Sequence, residues 1–227
     1  MEKSKQKSVV IVAGGKGSRM NSEMPKQFLL VAGKPILMQT ILRFYNCFRN
    51  IQIVVVLPFD QIEAWNRIIS GHRFIIPHQI TPGGKERFHS VKNGLSMIDD
   101  EGLVAIHDGV RPLVAESVIK ESFRIAARAG GAIPVVKPTE SIRKITSEGS
   151  TPVVRDDYRL VQTPQTFDAG LLKKAYEQPW EPRFTDDATV FEADGNKVEL
   201  FEGNRENIKI TDPFDLKIAE NTILKSI

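Results

Sequence analysis

Four apolar runs punctuate the chain, at Val9 to Ala13, Ile51 to Leu57, Leu103 to Ile106 and Ala132 to Val136. Each is short, rich in β-branched residues and free of polar alternation, which predicts strands buried on both faces. Between them, Ile36 to Phe48, Gln61 to Ile69, Phe88 to Met97 and Ser117 to Ala129 carry apolar residues three and four positions apart. That spacing predicts helices with one buried stripe. Strands alternating with helices predict an α/β, Rossmann-like layered fold with a mostly parallel central sheet. The punctuation agrees: Pro35 and Pro58 fall near element starts, and Gly130-Gly131 follows a helix where a capping glycine belongs.

Residues 137–162 break the rhythm. Lys137 to Ile145 and Val153-Val154-Arg155 flank the polar turn Ser147-Glu148-Gly149-Ser150, a pattern that predicts a projecting β-hairpin arm. Excursions of this kind serve binding or assembly rather than core packing. Beyond it, Leu171 to Tyr176, Asp187 to Ala193 and Pro213 to Leu224 read as helices, the last with Asp212 as N-cap and Pro213 at its first position. With no repeat, low-complexity tract or linker, residues 1–227 read as a single domain.

Composition narrows the picture. At 41% hydrophobic and 26% charged residues, the chain is an ordinary globular one, long enough to bury a sizeable core. Its single cysteine, Cys47, excludes an intrachain disulfide and reads as a buried thiol, which points to the cytoplasm. No apolar run approaches the roughly 20 residues of a membrane span. Met1 to Lys7 carries charge without the apolar core of a signal peptide and reads as a solvated tail. A net charge of +3 suits an anionic small molecule but lacks the basic stripe and aromatics expected of a nucleic-acid binder.

The richest chemistry follows the first predicted strand, where Gly14-Gly15-Lys16-Gly17-Ser18-Arg19 leads to Met24-Pro25-Lys26-Gln27. A glycine loop exposes backbone N–H groups to a phosphate, and Lys16, Arg19 and Lys26 supply more cations than one phosphate needs. The Walker pattern fails, since Gly33-Lys34 runs into Pro35 and Gly84-Lys85 into Glu86. The dinucleotide fingerprint fails at Met20, where a third glycine is required. Taken alone, the segment also admits a plain glycine turn with solvated cations.

Further polar blocks fall at predicted strand ends: Gly83 to Val91, His107-Asp108-Gly109-Val110-Arg111-Pro112, Thr163-Pro164-Gln165-Thr166-Phe167, Thr185-Asp186-Asp187, and Gly203 to Thr211. In this order and spacing they resemble the 2-C-methyl-D-erythritol 4-phosphate cytidylyltransferases of the non-mevalonate isoprenoid pathway, over residues 8–224. The resemblance implies a CTP-dependent nucleotidyltransferase that forms CDP-methylerythritol and releases pyrophosphate. It implies that Ala13, Gly14, Gly15 and Gly17 cradle the CTP phosphates, that Arg19 and Lys26 are catalytic cations, and that Gly84, Lys85, Arg87 and Ser90 surround the base and ribose. Asp108 is implied as a Mg²⁺ ligand, Arg111 as its substrate-side partner, and Lys209 as a catalytic cation beside methylerythritol phosphate. In the arm, Ser141 and Arg155 match positions that reach the substrate phosphate of the other protomer in a homodimer. Ser141 stands where the family usually has threonine; Thr139 is close enough that either hydroxyl can be the one meant.

Plainer readings stand beside these. Asp108 can cap a turn, His107 reads as a packed strand-end histidine, and at least one of Asp186 and Asp187 reads as a helix N-cap. Arg143, Lys144 and Arg155 can be a solvated face, and Trp65 and Phe88 read as core. Mechanistically, a phosphate monoester is largely dianionic at neutral pH, so it attacks without a general base. The chain accordingly offers Lys, Arg and Gly rather than a Ser-His-Asp set. The competing functions are a ribitol-5-phosphate cytidylyltransferase, a nicotinamide-dependent oxidoreductase, and a non-catalytic nucleotide-binding module.

Overall fold

The structure, a computed structural model, describes residues 5–14 and 24–225. Strand β1 (Lys7–Val12) is followed by the paired stubs β2 (Leu30–Val31) and β3 (Lys34–Pro35), then α1 (Ile36–Cys47), β4 (Gln52–Leu57) and α2 (Ile62–Gly71). Next come β5 (Gln79–Pro82), α3 (Arg87–Leu95), β6 (Leu103–Asp108), α4 (Glu116–Ala129) and β7 (Gly131–Val136). The arm is β8 (Arg143–Thr146) and β9 (Gly149–Pro152); the chain returns through β10 (Leu160–Val161), β11 (Gln165–Asp168), α5 (Ala169–Ala175), α6 (Asp187–Ala193), β12 (Glu199–Glu202) and α7 (Pro213–Leu224).

Strands β5, β4, β1 and β6 are parallel neighbours in an eight-stranded sheet. Strand β11 then runs antiparallel between β6 and β7, and β12 adds in parallel to β7. Side chains alternate across each strand and so divide the apolar runs between two layers. Val9, Ile11, Ile53, Val55 and Ala105 face Leu37 and Ile41 of α1, Trp65 of α2 and Phe123 of α4. Val10, Val54, Val56, Val104 and Ile106 face Phe88, Val91 and Leu95 of α3 with Tyr176 and Phe191. Each of the Val, Ile, Leu and Phe side chains among them contributes roughly 1.5–3 kcal/mol on full burial. Helix α3 lies so close that a Cβ on Gly94 would fall 2.4 Å from Val10 Cγ1, so Gly94→Ala would push helix from sheet.

A third cluster seats α7 and the β2–β3 stubs over the loop after β6, through Val31, Val110, Leu113, Ile210, Ala219 and Ile223. Asp212 caps α7 through Phe214 N and Asp215 N, with Pro213 following, as its sequence predicts. Gly130 ends α4 in the left-handed conformation at φ 82°, also as expected. Among the described residues no helix is long and apolar enough to cross a membrane.

Three expectations change. Lys7 opens β1 rather than ending a solvated tail, and Gln6 accepts from Leu103 N. The expected set of strands is incomplete: β11 lies between β6 and β7, and its sequence Gln-Thr-Phe-Asp lacks an apolar run. Cys47 is only half-buried, although burial still pushes its thiol up to about 11.

Candidate active site

The C-terminal ends of β1, β4, β5 and β6 lie along one sheet edge, the place where open α/β sheets bind ligands. The ladder continues past the strands: Ala13 N donates to Val56 O, Gly83 N to Leu57 O and Gly109 N to Val12 O. Three sequence blocks far apart in the chain thereby arrive side by side.

Asp108, the last residue of β6, is the electrostatic centre. Its Oδ2 accepts from Arg111 Nε at 3.0 Å and lies 3.1 Å from Lys209 Nζ, while Oδ1 is 3.9 Å from Arg87 Nε. Burial alone would raise this carboxyl; Lys209, Arg87 and Arg111 override it and hold Asp108 well below the usual carboxylate range. Asp108 is therefore an ionised residue under three cations, not a turn cap. Lys209 arrives because Ile210 N donates to Val110 O and Ile210 is buried beneath α7. Arg111 is fixed from its other side by donation to Asn207 O at 2.8 Å.

His107 explains how the strand end stays in register. Thr163 Oγ1 accepts from Asp108 N at 3.1 Å, which leaves its own proton to donate to His107 Nδ1 at 3.0 Å. The imidazole is then a neutral ring donating from Nε2 to Arg111 O at 3.1 Å. Burial lowers it to about 4, in keeping with that tautomer. It is a packed strand-end histidine with both nitrogens engaged. Around the cluster opens a cavity of about 310 Å³, walled by Arg87, Asp108, Arg111, Thr163, Thr185 and Lys209, among others.

On the β1 side, Ala13 is buried and its carbonyl accepts from Gln27 Nε2 at 2.9 Å. Gly84 N donates to Ser90 Oγ at 3.1 Å, and a Cβ on Gly14 would lie 3.8 Å from that same oxygen. A Cβ on Gly84 would meet His89 Cβ at 2.4 Å, so glycine there is required by packing as well as available to a ligand.

The sequence profile of the 2-C-methyl-D-erythritol 4-phosphate cytidylyltransferase family matches residues 8–226. The chain belongs to this family. It is 54% identical to the enzyme of that name from Bacteroides fragilis over 213 residues, covering 94% of this chain and 97% of the relative. It is 46% identical to that of Porphyromonas gingivalis, covering 93% and 95%. Among solved structures, the Thermus thermophilus cytidylyltransferase superposes with a TM-score of 0.75 at 31% identity, covering 96% of this chain and 98% of that one. The 4-diphosphocytidyl-2C-methyl-D-erythritol synthase of Anaerococcus prevotii gives 0.82 at 26% identity, covering 97% and 96%.

For this family member, the fold brings Ala13, Gly14, Gly84 and Ser90 together on one side and Asp108, Arg111 and Lys209 on the other. Gly15, Gly17 and Arg19 lie outside the described residues. Lys26 opens a 3-10 turn, Lys26–Phe28, whose Gln27 ties it to Ala13; Lys85 is exposed beside Gly84. Arg87, matched by sequence to the base and ribose segment, commits both terminal nitrogens to Asp187 and turns Nε toward Asp108. Ser141 and Arg155 are in the exposed arm, and neither lines the Asp108 cavity. Arg155 donates instead to Thr139 O at 2.7 Å.

Asp186 is the N-cap expected of that dipeptide, accepting from Thr189 N. Asp187 is something else, a fully buried carboxylate gripping Arg87. Its partner lies 100 residues away, beyond any local sequence signal. Thr163 and Asn207 lie in the quoted polar blocks without an assigned role, because their partners, Asp108 N and His107 Nδ1 for Thr163 and Thr163 O for Asn207, meet them only in the fold. A hard cation such as Mg²⁺ needs an ionised oxygen with a free lone pair. Asp108 Oδ1 qualifies, since among the described residues it accepts no hydrogen bond while Oδ2 carries Arg111. No group of three or more His, Cys, Asp or Glu side chains that could hold a metal occurs among the described residues, so most ligands to such an ion would come from substrate oxygens and water.

Proposed function

We infer that the chain transfers a cytidylyl group from CTP to 2-C-methyl-D-erythritol 4-phosphate, with the two anions meeting between the Ala13–Gly84 edge and the Asp108 cavity. The observation that carries the placement is Asp108 under Arg87, Arg111 and Lys209, beside the glycine-bearing ends of β1 and β5. In the reaction a phosphate oxygen of methylerythritol phosphate forms a bond to the α-phosphorus. The bond from that phosphorus to the bridging oxygen breaks, and pyrophosphate leaves with its electron pair. The nucleophile is already ionised, so no side chain need remove a proton. His107, buried and doubly hydrogen-bonded, is a scaffold and not a base.

The chain's own task is to bring like charges together and neutralise the transition state. Lys209 supplies a cation at the cavity mouth, and Lys26 and Arg19 are the further catalytic cations that the family pattern assigns. Asp108 Oδ1 would hold Mg²⁺, which when bound supplies further neutralisation of phosphate oxygens. The arm completes the site across a homodimer, with Arg155 and the Thr139 or Ser141 hydroxyl meeting the acceptor phosphate of the partner's site. The chain works in the cytoplasm on small anions, without nucleic acid as a partner.

The test is pyrophosphate release from CTP with methylerythritol phosphate, with ribitol 5-phosphate, and with neither. Release that depends on methylerythritol phosphate is expected. Release dependent on ribitol 5-phosphate alone, or none despite CTP binding, would overturn the reading in favour of the sister transferase or of a binding module.

A further inference from the structure

The charge cluster contains one fully buried carboxylate that the reaction does not use. Asp187, at the first position of α6, is completely inaccessible, yet it lies one guanidinium away from Asp108. Its Oδ1 accepts from Arg87 Nη1 at 2.9 Å and from Tyr176 Oη at 2.6 Å; its Oδ2 accepts from Arg87 Nη2 at 2.6 Å. The grip is thus bidentate, the strongest arrangement between these groups. Tyr176 is itself immobilised, 1% exposed and stacked on Phe88 with ring centroids 4.7 Å apart.

Arg87 stands between two carboxylates but is shared unequally. Both terminal nitrogens belong to Asp187, and Nε stops 3.9 Å short of Asp108 Oδ1. Arg111 and Lys209, by contrast, approach Asp108 Oδ2 to 3.0 and 3.1 Å. A partly buried guanidinium that lost Asp187 would be an uncompensated cation, and the nearest relief is Asp108. Closing on it would occupy Asp108 Oδ1, the oxygen of that carboxylate that accepts no hydrogen bond among the described residues.

We propose that Asp187, steadied by Tyr176, is a positioning residue that holds Arg87 back from Asp108 and so keeps Asp108 Oδ1 open to the reacting groups. The inference rests on the functional reading above, in which the Asp108 cavity is the reaction site. A structural carboxylate would serve folding alone; a positioning one must act through Arg87.

A kinetic double-mutant cycle separates the two. Asp187→Asn should lower kcat/KM by about ten-fold or more while Arg87 is present, and by no more than about two-fold in an Arg87→Met background. Tyr176→Phe, a gentler change that keeps the carboxylate, should show a smaller loss that also vanishes with Arg87→Met. It carries the test if Asp187→Asn fails to fold. Thermal unfolding of every variant guards against a loss that merely tracks stability. A crystal structure of Asp187→Asn, or of Tyr176→Phe in its place, gives a readout that needs no turnover: an Arg87 nitrogen within hydrogen-bond distance of Asp108 Oδ1 is expected. Losses that persist undiminished without Arg87, or a guanidinium that stays where it is, would overturn the proposal. A parent enzyme that releases no pyrophosphate would instead sink the functional reading, leaving the crystallographic arm to judge the inference alone.

Discussion

The Asp108 cavity and the arm are built to opposite rules. In the cavity, Asp108, Arg111, Lys209, His107, Thr163 and Asn207 hold one another within a single chain, and most are buried. In the arm every residue of β8 and β9 is exposed, the two strands pair only with each other, and Ile145 is 77% exposed. The first region is finished by its own fold; the second is tied, among the described residues, only within itself, Arg143 to Ser150 and Arg155 to Thr139 O, and leaves apolar side chains such as Ile145 and Val154 exposed. A charged site needs preorganisation before substrate arrives, because its advantage over water is that its dipoles do not reorganise. An arm proposed to act on another protomer's site would need only reach.

The contrast is broken most severely at the cavity. Asp108→Asn keeps the shape but removes the charge that Lys209 and Arg111 converge on, so kcat should fall by on the order of 10²–10³-fold and much more Mg²⁺ should be required. Steady-state rates across a magnesium series measure both. An unaltered magnesium dependence would return Asp108 to a purely structural role. Under the proposed homodimer the arm enters with the opposite logic, since its defect would be repaired from outside. Lys26→Ala and Arg155→Ala should each be nearly inactive, yet after mixing and complete subunit exchange about half the dimers are mixed and roughly a quarter of all sites are intact. Mixtures that stay inactive after verified exchange would place both residues in one chain's site.

How far the sequence reveals these two regions follows from the range of the interactions. The apolar runs disclose β1, β4, β6 and β7, because burial on both faces is written into consecutive residues. The arm is visible because Gly149 and its polar neighbours interrupt that rhythm. Strand β11 is hidden, since Gln165 and Thr166 owe their burial to hydrogen bonds with Asp186 and Ser122 rather than to apolarity. Asp108, Arg111 and Lys209 are visible through motif order, whereas the Asp187–Arg87 pair exists only once α3 and α6 are packed. Local chemistry is legible; the second partner of a long-range pair is not.

An intermediate effect tests the cavity's scaffold through pH. His107 is lowered to about 4 by burial against an ordinary value of 6.5, so the unfolded chain binds the extra proton first. Its contribution is complete above pH 6.5 and is lost as pH falls from 6.5 toward 4, amounting to roughly 3 kcal/mol. Asp108, held below the usual range, adds its own loss only at still lower pH. Denaturation midpoints at pH 7, 6, 5 and 4 should therefore decline in the parent. His107→Gln can offer both hydrogen bonds without titrating, and its curve should be flatter over that window. Equal slopes would mean that other groups carry the acid sensitivity.

The smallest expected effect lies in the arm. Ile145 is 77% exposed on β8, and neither arm strand pairs with the main sheet. Replacing it by serine leaves no cavity and strands no polar group, so the stability of the isolated chain should change by no more than about 0.5 kcal/mol. The same substitution in the core, at a residue such as Phe123, would cost several-fold more. If the arm is an assembly element, Ile145→Ser should nevertheless shift the monomer–dimer balance and lower turnover at dilute protein, with activity returning as concentration rises. Sedimentation across a dilution series, read beside the rate at each concentration, links the two quantities. A variant that unfolds much more easily would show that the arm packs on its own chain. One that leaves both the association and the rate unchanged would remove Ile145 from the interface.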